Sequence, residues 1–500
     1  MDTLGLLIDF GSTFTKVTAV DLAAGRILAR AQAPSTAATD VSEGFFRALE
    51  VLAERQPGLF AETPRSLDAL DGIFVRASSS AAGGLRIAVV GLVPGLTREA
   101  ANTAALGAGG KIVGAFAFKL AAEDIAEIER QTPDMVLLTG GTDGGDTRTI
   151  LHNAQALARS RLTIPFVIAG NIRATEEICK LLSAAGKIAV GVANVMPTSG
   201  KLNVEPARDE IRRLFMQRII QGKGIDKFQS RLPILLPTPM AVLNGALLGA
   251  QGHGAHKGCG DLVMVDIGGA TTDVHSIGDG KSSERNIIPT GLPEPFAKRS
   301  VEGDLGIRCN AATILRRIGA AELYARFRAT FPEIAIAQGQ LVDYVALISE
   351  DAGAVPREAW QSAADAVLAG VAADLAIERH VGRREPYYAS GGSVLVQAGK
   401  DLTEAPTLIG TGGIFAHNPY ADRVMRGSGN GALNVLRPRR PRVVLDRDYV
   451  LYAVGLLADS HPEAALKIFA QHLPADHSHD GAHQHALDGA GDGHEDSCCH

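Results

Sequence analysis

Two stretches of the chain repeat one hydrophobic pattern. In each, an apolar run ends on an aspartate, a turn of small and hydroxyl-bearing residues follows, and a second apolar-rich run begins. The first stretch is 4–20, with Asp9, and the second is 262–273, with Asp266. Short apolar runs bounded by turn residues indicate strands, so each stretch is predicted to be a strand–turn–strand hairpin. The repeat suggests two similar domains that face a shared cleft.

Between the two hairpins, the pattern changes to strands that alternate with helices. The predicted strands are 111–118, 135–139, 165–169 and 187–193, and the predicted helices are 121–130, 149–158 and 174–185. Such alternation favours parallel βαβ units. The glycine-rich loop 139–147, TGGTDGGDT, lies where a strand ends and a helix begins. Open α/β sheets bind ligands at that edge.

The remaining periodicity predicts further elements and an unstructured end. Further strands are predicted at 26–33, 73–77, 85–92 and in the run 407–415, and further helices at 41–55, 97–106, 205–220, 235–250 and, as the last, 448–459. From Val301 to about Glu378 the chain is mainly helical. From about Gln471 it consists of His, Asp, Ala and Gly without an apolar pattern. That tail is expected to be disordered.

Composition narrows the class of protein. The chain has 500 residues, of which 46% are hydrophobic and 21% charged, and this length implies two or more domains. The net charge of −6 is spread along the chain, so no nucleic-acid surface is predicted. The five cysteines lack disulfide-framework spacing, and no leader or membrane-length apolar run is recognisable. A reduced cytoplasm is the expected compartment, without membrane contact.

The first hairpin carries groups suited to phosphate. Its turn contains Gly11, Ser12 and Thr13, whose N–H and hydroxyl groups can face phosphate oxygens. Asp9 is suited to hold Mg²⁺ through water, and Lys16 has the charge to meet the β- or γ-phosphate. The alternative is that Asp9 caps a turn and that Lys16 is an exposed strand lysine.

The second hairpin and a third glycine-rich turn complete a predicted nucleotide site. A nucleoside triphosphate would lie between the hairpins, with Asp9 and Asp266 converging on one Mg²⁺. The predicted contacts are Gly268, Gly269, Ala270, Thr271 and Thr272 for the phosphates and Gly410, Thr411, Gly412 and Gly413 for the adenosine. Alternatively, the threonines are ordinary β-formers of a hairpin.

The glycine-rich loop 139–147 and the C-terminal tail each allow two interpretations. The loop 139–147 is either a turn that serves only its sheet or a second functional site, in which Asp143 or Asp146 orients an attacking water. The C-terminal tail is either solvated or a metal-binding tract. Imidazoles are suitable ligands for Zn²⁺, Ni²⁺ or copper. The candidate tail ligands are His477, His479, His483 and His485.

The motifs, in their order, resemble the actin, Hsp70 and sugar-kinase superfamily. DFGSTFTK from Asp9 resembles its first phosphate motif, DIGGATTD from Asp266 its second, and GTGG from Gly410 its adenosine motif, while 239–249 is similar to its connecting helix. Together with ASSSAAGGLR, GLVPGLT, LLTGGTDGGD, VEGDLGIR and IGTGGIF, they resemble the MutL/GlmL accessory proteins of adenosylcobalamin-dependent glutamate mutase and similar aminomutases. That family shares only a name with mismatch-repair MutL.

The resemblance implies a fold and its boundaries. We expect an α/β protein with two actin-like (RNase H-like) domains around a nucleotide cleft, with an inserted βα-alternating segment. Domain I would span 1–243, with the insertion at about 111–200, and domain II 244–425; 426–470 would return to domain I, and 471–500 would form the disordered tail.

The resemblance also implies a function. The family is regarded as ATP- and Mg²⁺-dependent, chaperone-like reactivating factors that help a mutase exchange damaged cobalamin. A small-molecule kinase of the same superfamily is the alternative. An iron–sulfur redox activator would need paired cysteines, which Cys179, Cys259 and Cys309 do not provide. A filament-forming ATPase is a further hypothesis.

Overall fold

The computed structural model describes most of the chain as a mixed α/β protein. The described ranges are 3–11, 14–36, 39–80, 85–220, 235–282, 284, 287–389, 392–425 and 432–473. None of the helices within these ranges has the length and apolar character that crossing a membrane requires.

The first sheet is built around the N-terminal hairpin. In spatial order its strands are Arg26–Pro34, Phe14–Asp21, Leu4–Phe10, Phe74–Ser79 and Leu235–Pro237. Counted along the chain this order is 3-2-1-4-5. The first three strands pair antiparallel, and the fourth and fifth run parallel to the first. Nearly every residue of the first strand is buried, which explains its unbroken apolar run.

The second sheet repeats this topology. In spatial order its strands are Ala297–Glu302, Thr272–Ile277, Leu262–Ile267, Thr407–Thr411 and Arg442–Leu445. The order is again 3-2-1-4-5, with the same pattern of antiparallel and parallel pairs. The predicted duplication is therefore confirmed, and the chain has the α/β fold with two actin-like domains.

A third, fully parallel sheet is inserted between the two. In spatial order its strands are Lys111–Phe116, Arg86–Val90, Met135–Leu138, Phe166–Ile168 and Ala189–Gly191, and the helices Ala122–Arg130, Arg148–Ala158 and Ile172–Ala184 connect them. The predicted βα alternation is confirmed. The sheet also contains Arg86–Val90, which precedes the predicted start of the insertion at 111.

The other helices cover the sheets, and short strands complete the fold. Val41–Arg55 packs its apolar face on the first sheet, and the Asp40 side chain caps it by accepting from the Ser42 N–H. The remaining elements are the helices Thr97–Gly107, Glu205–Ile220, Thr238–Gln251, Ala311–Ile318, Ala320–Thr330, Gln338–Glu350, Ala359–His380, Gly413–His417, Ala421–Val424, Leu451–Leu457 and Pro462–His472, the 3₁₀ turn Asp68–Leu70, the strand pair Gly252–His253 and His256–Lys257, and a sheet of Ile287–Thr290, Gly392–Ala398 and Arg383–Ala389.

The molecule has two halves, one built around the first sheet and one around the second. Two helices that lie between these sheets pack at very close range. Thr238–Gln251, which we call the connecting helix, packs on Leu451–Leu457. A Cβ on Gly455 would lie 1.6 Å from the Ala241 carbonyl oxygen, and one on Gly245 would lie 2.5 Å from the Leu451 oxygen. Only glycine permits this approach. Both helices contribute to a core that also contains residues of the first and second sheets.

Two predictions near these helices were wrong. Leu235–Pro237, predicted as the start of a helix, is the fifth strand of the first sheet, because the residue before Pro237 disfavours the helical conformation. A helix, Pro462–His472, follows the segment predicted to be last, with Pro462 in its first turn. Its apolar face was overlooked beside the polar tail. The rest of that tail, 474–500, lies outside the described residues.

Candidate functional site

Asp9 is the penultimate residue of the first strand, and three side chains hold it. Its carboxylate is 1% exposed. Thr238 Oγ1 and Ser78 Oγ donate to Asp9 Oδ1 over 2.6 and 3.2 Å, and Lys16 Nζ lies 3.6 Å from Oδ2. The hairpin register places Lys16 directly opposite Asp9. The fold therefore brings these two residues, predicted separately for Mg²⁺ and for phosphate, to one position.

Lys16 connects the first hairpin to Tyr449, in the link between the strand Arg442–Leu445 and the helix Leu451–Leu457. Its Nζ lies 3.5 Å from the centre of the Tyr449 ring, a cation–π contact. Lys16 also lines a cavity of about 690 Å³ together with Gly413 and Tyr449. The predicted phosphate-binding lysine and the predicted adenosine turn thus border the same space.

Asp266 occupies the matching position in the second sheet. It lies opposite Asp273 and beside Thr411. The pKa of Asp266 is raised to about 7, mainly by burial and also by the negative charges of Asp273, Asp446 and Asp9, against the lowering effect of Lys16. Asp9, distant in sequence, therefore lies near enough to Asp266 to raise its pKa.

The turns of the two hairpins close in the same way. The Gly11 N–H donates to the Phe14 carbonyl over 3.1 Å, and the Gly268 N–H donates to the Thr271 carbonyl over 2.9 Å. A Cβ at Gly11 would approach the Phe14 oxygen to 2.5 Å, so glycine is required there. Ser12 and Thr13 lie outside the described residues.

The other predicted contacts of the second hairpin differ in accessibility. Gly269 and Ala270 are exposed at its tip, whereas Thr272 is fully buried and its hydroxyl donates to the Leu305 carbonyl over 2.8 Å. Thr271 is partly exposed. Of the two predicted threonines, Thr271 is thus the one at the surface of the site.

The predicted adenosine turn lies against this hairpin. Gly412 has a φ of 108°, and a Cβ there would lie 2.5 Å from the Ile267 oxygen and 2.8 Å from Asp266 Oδ1. Gly413 begins a short helix and has open space around it. Gly410 and Thr411 belong to the strand beside Asp266. Glycine at 412 is needed because the backbone passes so close to the aspartate.

A further aspartate at this site, Asp446, was not predicted from the sequence. It is 1% exposed and accepts hydrogen bonds from Thr411 Oγ1 over 2.9 Å and from the Val450 N–H over 2.8 Å. Burial raises the pKa of Asp446. It follows the strand Arg442–Leu445 directly, so an apolar run ending on aspartate was the available signal. Thr238 and Tyr449 were also missed, because only the fold brings them to Asp9 and Lys16.

Asp143, in contrast to the hairpin aspartates, contacts residues of the inserted parallel-sheet unit. Its Oδ1 accepts from the Ile172 N–H over 3.0 Å and from Asn194 Nδ2 over 2.9 Å, both in the inserted unit. Asn171 binds the same loop through the carbonyls of Gly145 and Asp146. These contacts lock the glycine-rich loop at the carboxyl edge of the parallel sheet and cap the helix Ile172–Ala184.

The donor set at the hairpins is compatible with Mg²⁺. In the described part of the chain, no group of three or more His, Cys, Asp or Glu side chains is arranged to ligate a metal directly. Mg²⁺ commonly keeps several waters and uses one or two carboxylates. Several aspartates raise the pKa of Asp266, so a cation there would offset crowded negative charge. The predicted tail ligands lie outside the described residues.

The fold and this site define a duplicated α/β protein of the actin-like class. The MutL protein family model matches residues 5–473. Protein MutL of Clostridium tetanomorphum is 39% identical over 471 residues, covering 94% of this chain and 98% of that protein. The chain therefore belongs to the MutL family.

Solved structures show a weaker likeness. The ethanolamine utilization protein EutJ of Carboxydothermus hydrogenoformans is 11% identical, with a TM-score of 0.27 over 93% of this chain and 89% of that one. The xylulose kinase of Bifidobacterium adolescentis is 12% identical, with a TM-score of 0.30 and 93% of each chain covered. Likeness at these scores carries no further conclusion.

Proposed function

We propose that this protein binds MgATP between the two hairpins and hydrolyses it slowly, and that it uses this cycle to reactivate a cobalamin-dependent mutase by helping it exchange damaged cobalamin. One observation carries the nucleotide part of the proposal. Two hairpins with the same turn bring Asp9, Lys16 and Asp266 to one site between the halves of a MutL family chain.

Each residue has a defined task in this proposal. Asp9 and Asp266 hold Mg²⁺ through water, and when bound the ion neutralises phosphate charge. The backbone N–H groups of the two turns and the half-buried Lys16 bind the phosphates. Lys16 rests against Asp9 and Tyr449, so nucleotide binding exchanges these contacts for phosphate oxygens. Gly412 and Gly413 support the adenosine.

The proposed coupling to a partner depends on which segments of the fold carry Lys16 and Tyr449. Lys16 lies on the first sheet, and Tyr449 lies in the link from the last strand of the second sheet, Arg442–Leu445, to the helix Leu451–Leu457, so a ligand that displaces their contact has different interactions with open and closed arrangements of the two sheets. Differential binding of that kind is what shifts a conformational equilibrium. The mutase as partner rests on the family resemblance.

Phosphate release by purified protein tests the nucleotide site. Asp9→Asn should abolish Mg²⁺-dependent ATP hydrolysis with an unchanged circular dichroism spectrum, because Asp9 lies at the site, near the end of its strand, and is not part of the apolar core. Asp459→Asn, at an exposed position, is the matched control and should keep wild-type turnover. Wild-type hydrolysis by Asp9→Asn would refute the proposed site.

Two further experiments separate the finer claims. A pull-down from native extract with and without ATP should recover a cobalamin-dependent mutase. Phosphorylation of a small molecule from a metabolite panel, with no mutase recovered, would instead establish the kinase alternative. The predicted role of Asp143 in orienting water requires that Asp143→Asn lower ATP turnover without unfolding the inserted sheet.

A further inference from the structure

A second cavity lies beside the connecting helix, and neither Asp9 nor Asp266 lines it. Its volume is about 550 Å³. The helices Thr97–Gly107 and Glu205–Ile220 form one wall, the connecting helix forms the floor, and residues 293–297 of the second half form the opposite wall. Small-molecule sites occur preferentially at such junctions between domains, with volumes of about 300–1,000 Å³.

The lining of this cavity is mostly apolar. Met240 and Leu243 of the connecting helix are 5% and 6% exposed, and Leu247 continues the same face. Phe296, at 39% exposed, stands at the opposite wall. An apolar surface of this kind favours a ligand with a hydrocarbon body.

Two arginines supply the main polar groups. Arg208 and Arg212 are one helical turn apart, so both face the cavity from the helix Glu205–Ile220. Their side chains are 13% and 30% exposed. The Nε atoms of both are buried, so a ligand in the cavity would meet their Nη groups, of which Arg212 Nη2 donates to the Gly107 carbonyl over 3.4 Å. Burial lowers the pKa of Arg212, so an anion beside it would be favourable.

The neighbouring carboxylates disfavour a ligand with more than one negative charge. Arg208 pairs with Glu205, and Arg212 lies 3.3 Å from Asp209. Glu294, which also lines the cavity, pairs with Lys298 over 3.0 Å. These three pairs leave the site close to neutral, so a monoanion is tolerated better than a dianion such as a phosphate monoester, whose second charge would meet Glu205 and Glu294. A planar carboxylate matches the donor geometry of a guanidinium.

We propose that this cavity binds a small amphipathic monocarboxylate. Its carboxylate meets the two arginines, and its hydrocarbon body lies on the apolar face of the connecting helix. This site is separate from the proposed nucleotide site and does not depend on the proposed function.

Calorimetric titration of the full chain with octanoate, without nucleotide, tests the proposal. Octanoate should bind saturably with one-to-one stoichiometry. Octanol, which lacks the charge, and octyl phosphate, studied at mildly alkaline pH as a dianion, should bind at least about tenfold more weakly. Absence of saturable octanoate binding, or equal binding of either comparator, would overturn the assignment.

Three variants locate the site. Arg208→Gln combined with Arg212→Gln should weaken octanoate binding at least about tenfold. Arg213→Gln is the matched control, because Arg213 is on the same helix, pairs with Glu210 and does not line the cavity. Leu247→Trp should block binding by filling the space, and it decides the question if the double variant fails to fold. Unchanged octanoate affinity in Leu247→Trp would refute the location.

Discussion

Removal of Arg299 should destabilise the protein strongly, because this side chain ties the two halves together. Its Nη2 and Nε donate to Asp273 Oδ2 over 2.8 and 3.3 Å. Its Nη1 donates to the carbonyls of Leu106 and Gly110 in the first half over 3.2 and 3.0 Å. The Arg299 and Asp273 side chains are only 4% and 11% exposed. The ion pair is therefore buried where the second sheet meets the helix Thr97–Gly107.

The expected loss of stability follows from the Asp273 charge that remains when Arg299 is removed. Arg299→Met leaves the Asp273 carboxylate buried without a cation, and Asp273 Oδ1 already has no hydrogen-bond partner among the described residues. Breaking such a pair costs about 3–5 kcal/mol of unfolding free energy. Arg299→Met with Asp273→Asn removes the orphaned charge, so the double variant should lie within about 1–2 kcal/mol of wild type.

Urea unfolding followed by circular dichroism measures these differences. The double-variant cycle needs Arg299→Met, Asp273→Asn and their combination, with the exposed Arg213→Met as a surface control that should change stability by less than about 0.5 kcal/mol. A loss below about 1 kcal/mol for Arg299→Met, or strictly additive losses in the double variant, would refute the reasoning.

Three other perturbations test separate parts of the structure. Lys16→Met should weaken binding of a fluorescent ATP analogue about 10- to 100-fold, since a charge-assisted phosphate contact is lost; unchanged affinity would remove Lys16 from the site. Lys400 is fully buried and its pKa is lowered to about 8, mainly by burial, so the unfolded chain binds more protons between pH 8 and 10.5 and wild-type stability should rise with pH there. In urea unfolding, the stability of Lys400→Met relative to wild type should therefore fall by about 2 kcal/mol between about pH 7.5 and pH 9.5, and a difference independent of pH would contradict this. Gly455→Ala should lower the thermal midpoint steeply because the new Cβ collides with the Ala241 carbonyl, whereas Gly339→Ala, in a helix with open space, should be neutral or stabilising; equal midpoints for the two variants would contradict the close helix contact.

The strand and helix pattern was largely predictable, because it depends on local periodicity. The helix Val41–Arg55 has its predicted bounds, with Val41, Phe45, Leu49 and Leu52 buried as their spacing indicates. The secondary-structure predictions failed where one local sequence signal opposed another. Leu235–Pro237 adjoins a helical pattern but is extended before its proline, and Pro462–His472 borders a polar tail.

The site was predictable only in part. The strand–Asp–glycine repeat identified the hairpins, since their turn chemistry is carried by neighbouring residues. Asp446 has the same local pattern without the glycine turn, so it was not recognised. Thr238 meets Asp9 across 229 positions of the chain, and no local pattern encodes that contact.

Local periodicity and turn residues were enough to specify the duplicated hairpins, the inserted strand–helix alternation and the residue types available for chemistry, because these signals act over a few positions. Which of those residues meet was set by the tertiary fold. Three features join distant segments. They are the parallel pairing of the fourth strand in each duplicated sheet, the glycine contact between the connecting helix and Leu451–Leu457, and the cation–π contact between Lys16 and Tyr449. The raised pKa of Asp266 likewise arises from burial and from neighbouring charges that exist only in the folded chain.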